Sequence, residues 1–308
     1  MKRRNFLKST LAGGAALRPS SSAPTIPRRP YRDGVMLSVI GFGGIVVMGN
    51  DQKAADRLVA DSVERGINYF DVAPSYGDGE AEIKLGPALR PFRKNVFLAC
   101  KTGKRDASGA REELERSLRR LHTDHFDLYQ FHAVSSMEDV ETILGPGGAA
   151  ELFVKAREEG KVKYLGFSAH SAEAALALMD RMKLDSVLFP ANYVCWRQGN
   201  FGPQILEKAR EKGVARLALK ALARTTAPKG AKRPYEKCWY TPVEERELAA
   251  RALRFTLSQD ITAAIPPGDE RLYAMAVEIA SSTGLRMTSE EQDLLLSSTA
   301  GVEPIFRA

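Results

Sequence analysis

The stretch "INYFDVAPSYGDGEAEIKLG", residues 67–86, opens as an apolar run, stops on a carboxylate at Asp71, sets a phenol at Tyr76 and then turns amphipathic. A short β-branched and aromatic run bounded by turn residues reads as a strand buried on both faces, and the patterned stretch after it reads as a helix. The same alternation recurs about eight times along the chain. Strands are predicted at "LSVIGFG", "INYFDV", "NVFLACK", "FDLYQFH", "VKYLGFS", "SVLFPAN", "VARLALK" and "ITAAIP". Helical patterns lie between them, and three carry Lys or Arg in the last turn with a glycine after it, at Gly66, Gly160 and Gly213.

Strands and helices in strict alternation predict an α/β fold, a (β/α)8 TIM barrel of parallel strands inside and helices outside. An open doubly wound sheet would call for a phosphate-binding glycine loop after its first strand, and "GFGGIV" lacks the third glycine of that loop. The stretch "YRDGVMLS" is expected to form a short N-terminal hairpin on the barrel floor, and "SEEQDLLLSST" an extra C-terminal helix. Residues 31–308 then make one domain.

Residues 1–30 differ in kind, with seven Lys/Arg and no acid. The segment "MKRRNFLKSTLAGGAAL" has a charged head with paired arginines, a mild apolar run and the polar stretch "RPSSSAP" after it. It resembles a twin-arginine export signal followed by a disordered linker, with cleavage expected around Ser22 and Ala23 and a periplasmic or exported destination. The partner in targeting is then the twin-arginine export machinery; without a working arm the protein stays cytoplasmic. The formal charge of +7 comes from this arm, since the remainder balances 38 basic against 38 acidic residues. A balanced body offers no footprint for nucleic acid. Cys100, Cys195 and Cys238 show no ligand spacing, and with four histidines and no HxH the chain offers no metal site.

Chemistry in such a barrel gathers at the carboxyl ends of the strands. Asp71 ends the second strand with Tyr76 on its loop, Lys101 ends the third, and His132 ends the fourth. Tyrosine ordinarily titrates near pH ~10, and a lysine cation within about 4–6 Å favours its phenolate. Asp71 would orient Lys101, and His132 would position a carbonyl oxygen for protonation by Tyr76. None of these groups supplies a hydride, so the chemistry calls for a nicotinamide cofactor.

At this point the sequence resembles the aldo-keto reductase family over nearly the whole chain after residue 31. "FDVAPSYGDGEAEIKLGPAL" is similar to the family's signature around its aspartate and tyrosine, and "ACKTG" and "YQFHAV" are similar to its lysine and histidine segments. The resemblance implies a catalytic tetrad of Asp71, Tyr76, Lys101 and His132, NADP(H) as the favoured cofactor with NAD(H) as the other option, and a small aldehyde, ketone or alcohol as substrate. It further implies cofactor contacts from Ser168, Asn192, Leu219, Lys220, Gly268 and Arg271, with Lys229, Lys232 and Arg233 near the phosphates. Ala169, Leu188, Leu219, Tyr273 and Val277 depart from residues common in the family. Among the aromatics near the mouth, Trp196 is expected to contact substrate. The expected activity is an NADP(H)-dependent interconversion of carbonyl and alcohol; the alternative is a non-catalytic, ligand-binding barrel that keeps the fold.

Overall fold

The computed structural model describes residues 25–228, 230, 233–282 and 284–308, so the arm of residues 1–24, Lys229 and Lys232 lie outside the described residues. The chain enters through an antiparallel hairpin of β1 (Arg28–Pro30) and β2 (Met36–Ser38). Just before it, Ile26 is buried and donates its N–H to Arg65 O at 3.0 Å. Arg29 caps the carbonyls of Leu257 (2.6 Å) and Ile261 (2.7 Å). Arg28 and Arg29, which the sequence groups with the arm, thus lie in β1 and bond to the barrel's backbone. Charge composition grouped them with the arm, whereas their role is to satisfy backbone oxygens left open at a helix end.

Strands and helices then alternate: β3 (Phe42–Gly43), α1 (Gln52–Glu64), β4 (Tyr69–Asp71), α2 (Glu80–Leu89), β5 (Phe97–Thr102), α3 (Ala107–Arg120) and β6 (Phe126–Val134). After α4 (Met137–Leu144) and α5 (Ala149–Glu158) come β7 (Val162–Ala169), α6 (Ala172–Arg181) and β8 (Ser186–Pro190). Next are α7 (Tyr193–Gln198), α8 (Pro203–Glu211), β9 (Ala215–Leu219) and an antiparallel pair, β10 (Ala223–Thr226) with β11 (Tyr240–Pro242). The chain finishes with α9 (Arg246–Ser258), β12 (Ala263–Ile265), α10 (Glu270–Ser282) and α11 (Ser289–Ser297).

Eight parallel strands pair in the order β3, β4, β5, β6, β7, β8, β9, β12. The ring closes through a parallel bridge between Ile40 and Ala264, where Gly41 N–H donates to Ala264 O (3.0 Å) and Ala264 N–H to Val39 O (2.9 Å). This is the (β/α)8 barrel that the alternation predicts. The strand expected over "LSVIGFG" is divided between the floor hairpin and the ring. The division falls at Ser38, whose hydroxyl donates to Ile40 O (2.7 Å) and whose N–H donates to the Asn68 side chain (2.7 Å), so local bonds replace ladder bonds. Two short helices, α4 and α7, and the β10–β11 pair were not expected from periodicity.

Several helix starts follow their sequence. Asp51, Asp106, Ser136 and Ser171 each accept a backbone N–H at the head of a helix. The capping box of α11 uses Thr288 and Glu291, one residue ahead of the expected Ser289 start. Gly66 closes α1 at φ 93°, a left-handed value that suits glycine.

Side chains alternate across each strand. Tyr69, Phe97, Ala99, Leu128, Tyr164, Leu188, Leu217, Ala263 and Ile265 form the barrel's inner cluster, on which Tyr31 of the floor hairpin also packs (5.1 Å from Phe97, 5.4 Å from Tyr164). Phe70, Leu98, Cys100, Tyr129 and Phe131 belong to the outer core with the helices. Inward parity then carries on past the packed layers. Two residues beyond Tyr69, Ala99 and Leu128 stand Asp71, Lys101 and Gln130, and His132 is two further on. The sequence thus delivers its polar residues to one end of the lumen.

Candidate active site

Asp71 and Lys101 are 2% and 1% exposed, which makes their pairing necessary rather than optional. Lys101 Nζ bonds Asp71 Oδ1 directly, reaches Val72 O at 3.3 Å and meets the Tyr76 hydroxyl at 3.3 Å. The ammonium also lies 5.1 Å from the Tyr76 ring centroid. Asp71 Oδ2 accepts from Gln130 Nε2 (3.0 Å) and Tyr69 OH (3.4 Å), so both carboxylate oxygens are engaged. Gln130 was not singled out in the sequence, although its position two residues before His132 on the inward face marked it.

Burial acts against the charge on Lys101, yet Asp71 and then Tyr76 outweigh it and hold its pKa above the ordinary lysine value. For Tyr76 the balance differs from the simple expectation. Burial raises its pKa, the Lys101 cation lowers it and Asp71 raises it again, leaving a net rise above the ordinary value near 10.0. Tyr76 is therefore a protonated donor at neutral pH, with a cation ready to receive the phenolate after the proton leaves.

The His132 ring stands edge-on to Tyr76, centroids 5.6 Å apart, with Nδ1 3.4 Å from Ser75 Oγ. Burial, then the nearby Lys101, His170, Lys220 and Arg105, hold its pKa well below the usual imidazole value, so the ring is neutral at pH 7. A neutral ring offers one N–H to a carbonyl oxygen without competing as an acid. The strand end carrying it is pinned: Arg105 donates to His132 O (2.9 Å) and Ala133 O (3.2 Å) and is itself held by Asp139 (2.8 Å). Ala133 takes φ 52° where the β6–β7 register shifts, and its N–H donates to Ser168 Oγ at 2.7 Å. Ser168 thus fixes the His132 turn and keeps its own hydroxyl proton to give.

The other expected contacts divide. Leu219 is part-buried beside the inner cluster, and Lys220 follows it at φ 61°. Asn192 is fully buried; its oxygen caps α7 at Cys195 N (2.8 Å) and its amide donates to Lys220 O (3.2 Å), so it orders the rim. A Cβ on Gly268 would fall 2.2 Å from Ile45 Cγ2, so close packing is what demands glycine there. Arg271 is exposed, paired with Asp269 (3.0 Å) and stacked on Tyr235 (4.5 Å). It shares a cleft with Arg233 and Lys237, and Lys237 crosses to Val46 O at 3.0 Å. Among the described residues no cluster of His, Cys, Asp or Glu suits a metal ion.

Trp196 is part-buried and packs against the outer core. Its ring is edge-on to Phe255 of α9 (5.8 Å) and lies over Gly202, whose Cβ would sit 2.7 Å from Trp196 Cε3. That is a helix-packing contact. The aromatics beside Lys220 are instead Trp239, on the segment between β10 and β11, and Phe306, in the tail after α11. Gly202 has φ 124°, so Gly202→Ala combines backbone strain with a clash. It is expected to destabilise the fold by about 1–3 kcal/mol in urea titration. A change in substrate KM at unchanged stability would instead tie this position to the substrate contact expected of Trp196.

The ring of parallel strands and the polar cluster at its carboxyl mouth define the class: a barrel enzyme of the oxidoreductase type. The chain belongs to the aldo/keto reductase family, whose sequence pattern matches residues 39–288. It is 24% identical over 301 residues to the uncharacterized oxidoreductase YqkF of Bacillus subtilis, covering 88% of this chain and 95% of that one. It is 35% identical over 139 residues to the methylglyoxal reductase YeaE of Escherichia coli, covering 44% and 46% of the two chains. The holo form of the aldo-keto reductase AKR11C1 from Bacillus halodurans superposes with a TM-score of 0.69 at 24% identity, over 92% of this chain and 100% of that one.

Proposed function

We propose that the protein is an NADP(H)-dependent reductase of aldehydes or ketones, or a dehydrogenase of the matching alcohols, with Tyr76 as general acid/base. The observation that carries this reading is the single ammonium of Lys101, which touches both the Asp71 carboxylate and the Tyr76 hydroxyl at the open end of the barrel. In reduction, Tyr76 gives its proton to the developing alkoxide and Lys101 stabilises the phenolate left behind. His132 aligns the carbonyl oxygen, and Asp71 keeps Lys101 charged and aimed. In the reverse direction the phenolate recovers the proton.

A bound nicotinamide nucleotide would supply or accept the hydride. The residues present fit one. Arg233, Lys237 and Arg271 line one cleft near the start of α10, and the acid nearest Arg271, Asp269, is already paired with it. That donor chemistry suits the extra phosphate of NADP. Ser168 and Leu219 are the candidates for the nicotinamide end.

The reading includes export by the twin-arginine route. Cleavage near Ser22 and Ala23 would leave intact the segment from Ile26 onward, the first buried residue among those described.

Fluorescence titration of the chain from about residue 24 is expected to show NADPH binding about tenfold or more tighter than NADH, as one charge-assisted contact supplies. Failure of the folded protein to bind either nucleotide would move the function to the ligand-binding barrel.

A further inference from the structure

Lys220 is a cation at the mouth that the tetrad chemistry does not use. Its Nζ lies 5.4 Å from the Phe306 ring, 5.7 Å from the Trp239 ring and 3.5 Å from His170 Nε2. Three separate segments supply these neighbours: the tail after α11, the chain between β10 and β11, and the turn after β7. None of them brings a carboxylate, and among the described residues Lys220 forms no ion pair. This contrasts with Lys101, whose charge is matched by Asp71.

Loss of water around Lys220 lowers its pKa to about 7, with Cys195 raising it and Lys101 lowering it further. His170 is pushed down to about 3 by burial and then by Lys220, so it stays neutral and leaves its lone pair to the ammonium. Lys220 in turn acts on His132, which places its charge within electrostatic reach of the group that aligns the carbonyl. A cation bounded by aromatic faces, short of a counter-ion and beside the reacting centre, is built to receive a negative group from outside.

Resting on the carbonyl-reductase reading, we propose that Lys220 is a specificity residue that binds the carboxylate of an anionic carbonyl substrate while Tyr76 and His132 hold the carbonyl. The substrates favoured are oxo acids and aldehydes with a carboxylate at their far end. His170 steers the ammonium, and the part-buried Phe306 ring and the exposed Trp239 ring flank it and restrict the water around the pair.

The test compares para-carboxybenzaldehyde with para-nitrobenzaldehyde, two rings of similar shape that differ in charge. In the unaltered protein the ratio of their kcat/KM values is expected to favour the carboxylate. Lys220→Met should reduce that ratio by about tenfold or more, the size of one lost charge-assisted bond. The preference should also decline as pH rises through about 7, because Lys220 then loses its proton. Lys220→Arg should keep the preference and flatten that pH profile. Met or Arg at this position meets the same left-handed backbone as Lys, so backbone strain does not separate the variants.

An equal loss on both aldehydes in Lys220→Met, or a loss accounted for by weaker NADPH binding, would overturn the proposal and assign Lys220 to the cofactor. If the unaltered protein reduced neither aldehyde, the reductase reading itself would fall. Calorimetry with benzoate and benzamide would then decide the anion site alone: benzoate binding lost in Lys220→Met sustains it, and equal binding by both proteins refutes it.

Discussion

Tyr76→Phe is expected to lower carbonyl reduction by about 10²–10⁴-fold, the usual worth of a positioned general acid. The substitution removes one oxygen and keeps the ring, so the edge-on contact with His132 at 5.6 Å and the face offered to Lys101 persist. On the proposed reading, only the proton source is lost. Neither neighbour replaces it. His132 is neutral, with a pKa well below the usual value, and Lys101 holds its proton tightly against Asp71. Single-turnover hydride transfer, followed by the loss of NADPH absorbance, reads the step directly. Rates within about threefold of the unaltered protein would remove Tyr76 from the chemistry and leave Lys101 as the donor.

Asp71→Asn is expected to be the more damaging change to the fold. Lys101 is buried and Asp71 carries its counter-charge, so the substitution leaves an ammonium in the barrel without a carboxylate. Breaking a buried pair from one side costs about 3–5 kcal/mol. The sign of the pH dependence follows from the causes. With Asp71 present, the folded state holds the Lys101 pKa above its ordinary 10.5. In the variant the burial that opposes the charge prevails and the pKa falls below that value. The destabilisation is then fullest at low pH and shrinks as pH rises through the lowered pKa, where Lys101 folds neutral. Urea titrations at about pH 7 and about pH 9.5 should show the deficit narrowing. A deficit that stays constant or grows would mean that the carboxylate is not what keeps Lys101 charged. Activity should fall in the same variant, since Lys101 can no longer hold the Tyr76 phenolate as a full cation.

Much of the fold is legible in the sequence, for a simple reason. A barrel strand buried on both faces writes an apolar run, and a polar residue that ends such a run has nowhere to go but the mouth. Asp71, Lys101 and His132 were readable that way, and Tyr76 as a phenol on the loop after Asp71, with its role implied by the resemblance of that segment to the family. Gln130 was equally readable from inward parity, but its neutral amide drew no notice among titratable neighbours. Trp196 illustrates the opposite limit. Its ring contacts Phe255, fifty-nine positions away, a contact made by the approach of whole helices and by no local pattern. The tail residue Phe306 is hidden for the same reason, as its partners are His170 (4.9 Å), Phe201 (5.5 Å) and Trp239 (6.0 Å). Periodicity reports which side of an element is buried, and it does not report against what. The same limit holds at the rim, where the cap that Asn192 makes on α7 was hidden, since a cap and a ligand contact draw on the same amide.

The bridge between Ile40 and Ala264 joins positions 224 residues apart in the chain. Seven strands, β3 through β9, precede the one that closes the ring. During synthesis a chain that stops short of Ala264 therefore carries an open parallel sheet with two bare edges, each a template for pairing with another chain. Among the strand pairings of the ring, the closing contact is also the one with the longest loop to restrain. Protection of both edges thus arrives together, with the last strand, and the first strand waits for it through most of the chain's manufacture.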